Sequence, residues 1–199
     1  MNALLIIDIQ NDFTPATGAT GSAPPKADGA LAVPDGNAVV PIANRLMGRF
    51  DLVVATQDWH PPDHGSFASQ HPGHDVGDTT GAEFVAAIDH LRIQHVARKG
   101  TDRHIDSYSG FFDNGQRNAT GLGDHLKQKG VRNVYLLGLA TDYCVKFTAL
   151  DAVQLGFRCH LIEDGCRGVN LKAGDVDEAL RQMRNGGVRV IRSADLPDA

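Results

Sequence analysis

Asp8, Asp58, His60, Lys99 and Cys144 are the residues of this chain whose types and settings could do chemistry. Cys144 ends the stretch Gly138-Leu139-Ala140-Thr141-Asp142-Tyr143-Cys144, which follows an apolar run and opens a helical pattern. A thiol in the first turn of a helix meets the partial positive charge of the helix N-terminus, which favours the thiolate. The N–H groups there can also hold an oxyanion. A thiol nucleophile needs a base and a charge partner, and Asp8 and Lys99 are the right types at other strand ends. Cys159, inside a strand pattern, reads as core, and Cys166, in a loop, as structural. In Asp58-Trp59-His60-Pro61-Pro62-Asp63-His64 a carboxylate and imidazoles at short spacing suit Zn²⁺, Fe²⁺ or Mn²⁺. Four of the 9 histidines, His60, His64, His71 and His74, crowd into this part of the chain.

These residues need a frame to bring them together, and the chain is long enough to build one. With 199 residues it is expected to form a single domain, residues 1–199, with a sizeable core and no need of staples. The 42% hydrophobic and 22% charged composition excludes a disordered or fibrous chain. No apolar run reaches the roughly 18 residues of a membrane span. A net charge of −5 argues against a broad face for nucleic acid or an anionic membrane. The N-terminus lacks a basic segment and runs straight into a strand pattern, so no signal peptide is expected. Three cysteines, an odd count, fit a reducing compartment, and a cytoplasmic location is expected.

Apolar runs at residues 3–9, 51–57, 93–98, 133–139, 157–162 and 188–191 read as strands. Helical patterns lie at 37–50, 81–91, 118–130, 141–155 and 173–185, the 141–155 helix opened by Thr141-Asp142 as a cap pair. Residues 12–36, 60–80 and 100–118 read as loops. This alternation predicts an α/β fold: a six-stranded, mostly parallel sheet with helices on both faces, a Rossmann-like three-layer sandwich. Such sheets bind ligands at the carboxyl ends of their strands, where Asp8, Asp58, Lys99 and Cys144 fall.

The chain also resembles the nicotinamidases (pyrazinamidases) of the isochorismatase-like cysteine hydrolase family. The resemblance is carried by Asp8-Ile9-Gln10-Asn11-Asp12-Phe13, Gln57-Asp58-Trp59-His60-Pro61, Lys99-Gly100 and Asp106-Ser107-Tyr108-Ser109-Gly110-Phe111-Phe112-Asp113-Asn114. Residues 138–151 (GLATDYCVKFTALD) and Cys166-Arg167-Gly168-Val169-Asn170 extend it, so that it runs from residue 1 to about 195.

The resemblance implies an isochorismatase-like fold and a catalytic triad of Asp8, Lys99 and Cys144. It implies an oxyanion hole from the N–H groups of Ala140 and Cys144, with a cis peptide at Leu139–Ala140. Phe13 and Tyr108 would contact substrate. Asp58 and His60 would bind one divalent ion, Zn²⁺ first, with Fe²⁺ and Mn²⁺ as alternatives. Pro72-Gly73-His74-Asp75-Val76 stands where the family has Trp-Pro-x-His-Cys-Val, making His74 the matching third ligand, with His64 and His71 as alternatives. Residues 14–28 resemble an insertion. The implied activity is hydrolysis of nicotinamide to nicotinic acid and ammonia through a thioester, in pyridine nucleotide salvage. The alternatives are a sister amidase on another small amide, or a non-catalytic metal- or ligand-binding member if the 71–76 loop is disabled. The implied partner is a small molecule; homo-oligomerisation and action on pyrazinamide stay open.

Overall fold

A computed structural model of the chain describes residues 1–15, 29–65 and 80–196. Six strands form one sheet: β1 (Asn2–Ile7), β2 (Leu52–Asp58), β3 (His95–Lys99), β4 (Asn133–Leu139), β5 (Arg158–Arg167) and β6 (Arg189–Ile191). Their order is β3-β2-β1-β4-β5-β6, and every pairing is parallel. The helices are α1 (Val39–Met47), α2 (Leu122–Gln128), α3 (Lys146–Gln154) and α4 (Asp175–Asn185). Among the described residues no helix is long and apolar enough to cross a membrane.

The apolar runs form strands because both faces of the sheet are covered. All of β2 is buried, as is β1 from Ala3 onward. In α1 the buried residues Val39, Val40, Ala43, Leu46 and Met47 make a stripe at helical spacing. Pro41 falls in its first turn, where backbone N–H groups lack helical partners anyway. In α4 the first turn carries Asp175, Asp177 and Glu178 and the last turn Arg184, matching the helix dipole at both ends.

Strand order reverses between β1 and β4, the crevice where sheets of this kind take ligands. Register brings the strand ends level there: Ile7 pairs with Gly138 and Asp58 with Lys99. At Gly138 (φ +128°) a Cβ would stand 2.1 Å from the Ile7 carbonyl oxygen, so only glycine allows β4 this close to β1.

Three expectations change. Residues 81–91 do not form a helix. Their backbone instead pairs with the chain leaving β1: Asn11 donates to the Glu83 carbonyl, and Val85 donates to that of Ile9. Ala82, Val85 and Ile88 are buried at a spacing of three, which mimics a helical stripe. Cys166 lies within β5 rather than in a loop, and it is buried, as is Cys159. Asp142 does not cap the following helix; its carboxylate accepts N–H bonds from Val169 and Asn170.

The C-terminal turn is tied back by Asp164 of β5, whose carboxylate accepts from both the N–H and the hydroxyl of Ser193. Partial burial works against the charged carboxylate, but the Ser193 bonds outweigh it and hold its pKa below the usual range. A depressed folded pKa contributes stability above the unfolded value that disappears as pH falls through the folded one. Asp164→Asn is therefore expected to cost about 1 kcal/mol at pH 7, a cost that fades below pH of about 4. Urea unfolding at both pH values checks this; a deficit independent of pH refutes it.

Candidate active site

The carboxyl ends of β1, β2, β3 and β4 deliver Asp8, Asp58, Lys99 and the Ala140–Cys144 turn to one cavity of about 510 Å³. Leu139–Ala140 is a cis peptide, as the resemblance implied. The wide turn Thr141–Val145 follows, bent at Tyr143 (φ −123°, ψ −105°), and passes into α3. Cys144 sits in this bend on the cavity wall.

Lys99 lies beneath the cavity floor, its side chain fully buried. Its ammonium donates to the Ser107 carbonyl at 2.8 Å and pairs with Asp8 Oδ2 at 3.1 Å and Asp58 Oδ1 at 3.2 Å. Cys144 Sγ is 3.7 Å away. Burial alone would lower the lysine's pKa, but Asp58, then Asp8 and Cys144, outweigh it and hold it well above the usual lysine range. Lys99 is a fixed cation at any physiological pH.

The thiol behaves otherwise than the sequence suggested. Burial pushes the Cys144 pKa well up, and the charges of Asp8 and Asp58 add to this against the opposing pull of Lys99. The resting protein therefore holds a thiol, with the Asp8 carboxylate as its proton acceptor, rather than a preformed thiolate.

Asp8 is aimed by Thr56. The Thr56 hydroxyl accepts the Asp8 backbone N–H at 3.1 Å and donates to Asp8 Oδ1 at 2.6 Å, leaving Oδ2 to Lys99. Asp8 adopts φ +45°, a left-handed conformation that this double bond supports. Thr56→Val keeps the shape and removes both bonds. A bond to a charged group contributes about 1.5–3 kcal/mol, so kcat should fall roughly tenfold or more, with KM little changed. Steady-state kinetics decides; a kcat within twofold of the parent denies Thr56 this role.

Asp58 is held through its backbone. The Gln10 side chain accepts the Asp58 N–H at 2.8 Å and donates to the Asp58 and Ala82 carbonyls at 2.9 and 2.8 Å. His60 is held by Gly100, whose carbonyl lies 2.8 Å from Nδ1. A carbonyl only accepts, so Nδ1 carries the proton and, in the neutral ring, Nε2 presents its lone pair. Nε2 lies 3.6 Å from Asp58 Oδ2 and 3.5 Å from Asp106 Oδ1. A Cβ on Gly100 (φ +69°) would fall 2.3 Å from the His60 ring and 2.7 Å from Asp58 Oδ1.

The Asp58–His60 pair thus fits a divalent ion in donor type. Among the described residues it does not join a complete group of three His, Cys, Asp or Glu ligands. His74 and His71 lie outside the described residues, as does nearly all of the 14–28 segment. His64 stacks face to face on His60, with centroids 3.8 Å apart and planes within 1°. Rings in parallel planes cannot both aim a lone pair at one ion, so His64 braces His60 instead.

The remaining walls are apolar and aromatic. Phe13, Val33, Leu139, Tyr108, Tyr143 and Leu171 are among the residues that line the cavity. Tyr108 stacks on Phe147 at 5.5 Å, so its ring is fixed from behind. The space suits a flat apolar ring carrying a polar group that can reach Cys144.

An α/β sheet with a buried ammonium, two carboxylates and a thiol converging at its topological switch point has the build of a cysteine hydrolase. The comparisons agree: the Isochorismatase domain family matches residues 2–195, and the chain belongs to that family. It is 42% identical to the nicotinamidase of Escherichia coli strain K12, over 97% of this chain and 95% of that one. Of solved structures, PnC1 from L. infantum in complex with nicotinate superposes with a TM-score of 0.86 at 34% identity, covering 98% of this chain and 94% of that one. The pyrazinamidase of Pyrococcus horikoshii in complex with zinc gives 0.78 at 36% identity, covering 96% and 98%.

Thr56, Gln10 and Asp106 were not assigned roles from sequence. Gln10 and Asp106 sit inside the motifs that carry the resemblance, and Thr56 is a polar residue within a buried strand, itself a signal.

Proposed function

We propose that this protein hydrolyses nicotinamide to nicotinic acid and ammonia, with Cys144 as nucleophile, Asp8 as proton carrier and Lys99 as fixed cation. One observation carries this reading: the Cys144 thiol, the Asp8 carboxylate and the Lys99 ammonium meet at the floor of a cavity with apolar, aromatic walls. The nicotinamidases and the nicotinate-bound structure among its relatives support the substrate.

The Cys144 proton passes to Asp8 as sulfur attacks the carboxamide carbon, and the C=O electron pair moves onto oxygen. The Ala140 and Cys144 N–H groups hold that oxyanion, each donor contributing about 3 kcal/mol in comparable sites. Collapse of the adduct breaks the C–N bond, and the leaving nitrogen takes the proton from Asp8 to depart as ammonia. Water then attacks the thioester, Asp8 accepts its proton, and the C–S bond breaks to release the acid. Asp8 returns the proton to sulfur. Lys99 keeps Asp8 and the sulfur in place while negative charge moves between them.

Asp58 and His60, with His74 from the sequence match, would hold a divalent ion, and the zinc-bound relative supports zinc. When bound, it supplies a Lewis acid that can anchor a ring nitrogen. Phe13 and Tyr108 flank the ring.

Purified protein incubated with nicotinamide is expected to release ammonia and nicotinic acid in equal amounts, and less of both after treatment with a chelator. Absence of both products, with turnover of another small amide, would overturn the substrate.

A further inference from the structure

Phe147 is a large apolar side chain that the core does not use. It stands in the first turn of α3, three residues after Cys144, and is 39% exposed, whereas the buried residues of that helix are Thr148, Ala149 and Ala152. Its ring has partners all the same. Tyr108 stacks on it with centroids 5.5 Å apart and planes 20° apart. The Lys146 ammonium stands 4.7 Å from its centroid, a cation–π contact. Tyr108 in turn meets Tyr143 edge-on, at 5.6 Å and 61°. Stacked and edge contacts at these separations are the favourable aromatic geometries.

The three rings come from two segments far apart in the chain. Tyr108 belongs to the loop after β3, which also carries the Ser107 carbonyl that accepts from Lys99. Tyr143 and Phe147 bracket Cys144 in the turn and helix after β4. Among the described residues that line the cavity are Tyr108 and Tyr143 but not Phe147. The Tyr108 N–H donates to Asn114 Oδ1 at 3.1 Å, which fixes its backbone. That bond does not choose the rotamer of the ring; contact with Phe147 and Tyr143 does.

We propose that Phe147 is a positioning residue for substrate binding, one that acts through Tyr108 by holding that ring as a preformed wall for the flat ring of the substrate. This rests on reading the cavity as a nicotinamide site. A wall ordered in advance has no rotamer freedom left to lose when substrate enters. The wall touches the ring and not the reacting carboxamide, so it serves ground state and transition state alike. Its loss falls on KM and spares kcat.

Steady-state kinetics with nicotinamide on the full chain tests this. Phe147→Ala should raise KM roughly three- to tenfold with kcat within about twofold of the parent, and shift Tm by no more than about 3 °C. Phe147→Tyr keeps the ring and should restore the parent KM. A double-mutant cycle gives the readout that a merely structural role would not move: with Tyr108→Ala already in place, Phe147→Ala should change KM by less than about twofold. An unchanged KM in Phe147→Ala overturns the proposal. So does an equal rise in both backgrounds, or a loss confined to kcat. If Phe147→Ala melts well below the parent, Phe147→Leu keeps the apolar bulk without the ring, and the same comparisons decide. A parent that binds nicotinamide without hydrolysing it overturns the activity alone, and nicotinamide dissociation constants of the same variants then test Phe147. A parent that neither binds nor hydrolyses nicotinamide overturns both readings.

Discussion

Cys144→Ala is expected to abolish ammonia release from nicotinamide, with kcat lower by at least about 10⁴-fold, while the protein still folds and binds substrate. The size of the effect follows from the position of the sulfur. It is the only protein atom in the proposed sequence that forms a bond to carbon, and neither Asp8 nor Lys99 can replace it. The fold should be spared because Cys144 borders the cavity instead of filling the core. Alanine there widens a space that is already open, and it removes a thiol whose burial disfavoured the charged form. Cys159 and Cys166 make the internal control: burial pushes both thiols up to about 12, and unlike Cys144 neither lines the cavity with Asp8 as a proton acceptor. Cys159→Ala and Cys166→Ala should keep turnover and lose stability, the reverse of Cys144→Ala. Ammonia assays with thermal melts on the three variants decide it. A Cys144→Ala protein that turns over within tenfold of the parent would remove the sulfur from the mechanism.

The frame and the main chemistry of this site were legible in the sequence for one physical reason. A parallel sheet buries its strands on both faces, so each strand is an apolar run, and the first reactive polar residue beyond it marks the carboxyl edge. Asp8, Asp58, Lys99 and Cys144 were found that way, and the structure brings all four together. The residues that aim them were not, because their partners are distant in sequence. Thr56 meets Asp8 and Gln10 meets Asp58 across 48 positions, and Gln10 meets Ala82 across 72. No local pattern announces such a bond.

Asp142 shows the opposite failure. Next to Thr141 at a helix start it has the look of a cap, yet its carboxylate reaches 27 and 28 residues on to the Val169 and Asn170 N–H groups. This latches the loop bearing Leu171, which is part of the cavity wall, to the turn that carries Cys144. The 81–91 segment failed similarly. Its apolar spacing suits a helix, but its backbone donors and acceptors were claimed by the chain after β1.

Lys99→Met is expected to cost about 3–5 kcal/mol of stability, as breaking a buried charge cluster from one side does. Against a typical total of about 5–15 kcal/mol this is a large fraction, and it should lower Tm by roughly 6–20 °C. The variant removes the ammonium from between Asp8, 1% exposed, and Asp58, 8% exposed, while Met nearly fills its volume. What remains is two carboxylates in a buried site without their cation. Burial already raises the Asp58 pKa, and Lys99 is the strongest influence opposing that rise. Without it the Asp58 pKa must climb further. A group whose folded pKa exceeds its unfolded one favours folding at low pH, and that contribution is lost as pH rises through the folded value. The deficit of Lys99→Met relative to the parent should therefore be largest at neutral pH and above. It should shrink as acid neutralises the carboxylates. Urea midpoints for both proteins, stripped of divalent ions, at pH 8 and pH 5 measure the difference. A deficit equal at the two pH values would mean that lost packing, not uncompensated charge, destabilises the variant, and Lys99 would no longer be the counter-ion that lets two carboxylates share this floor.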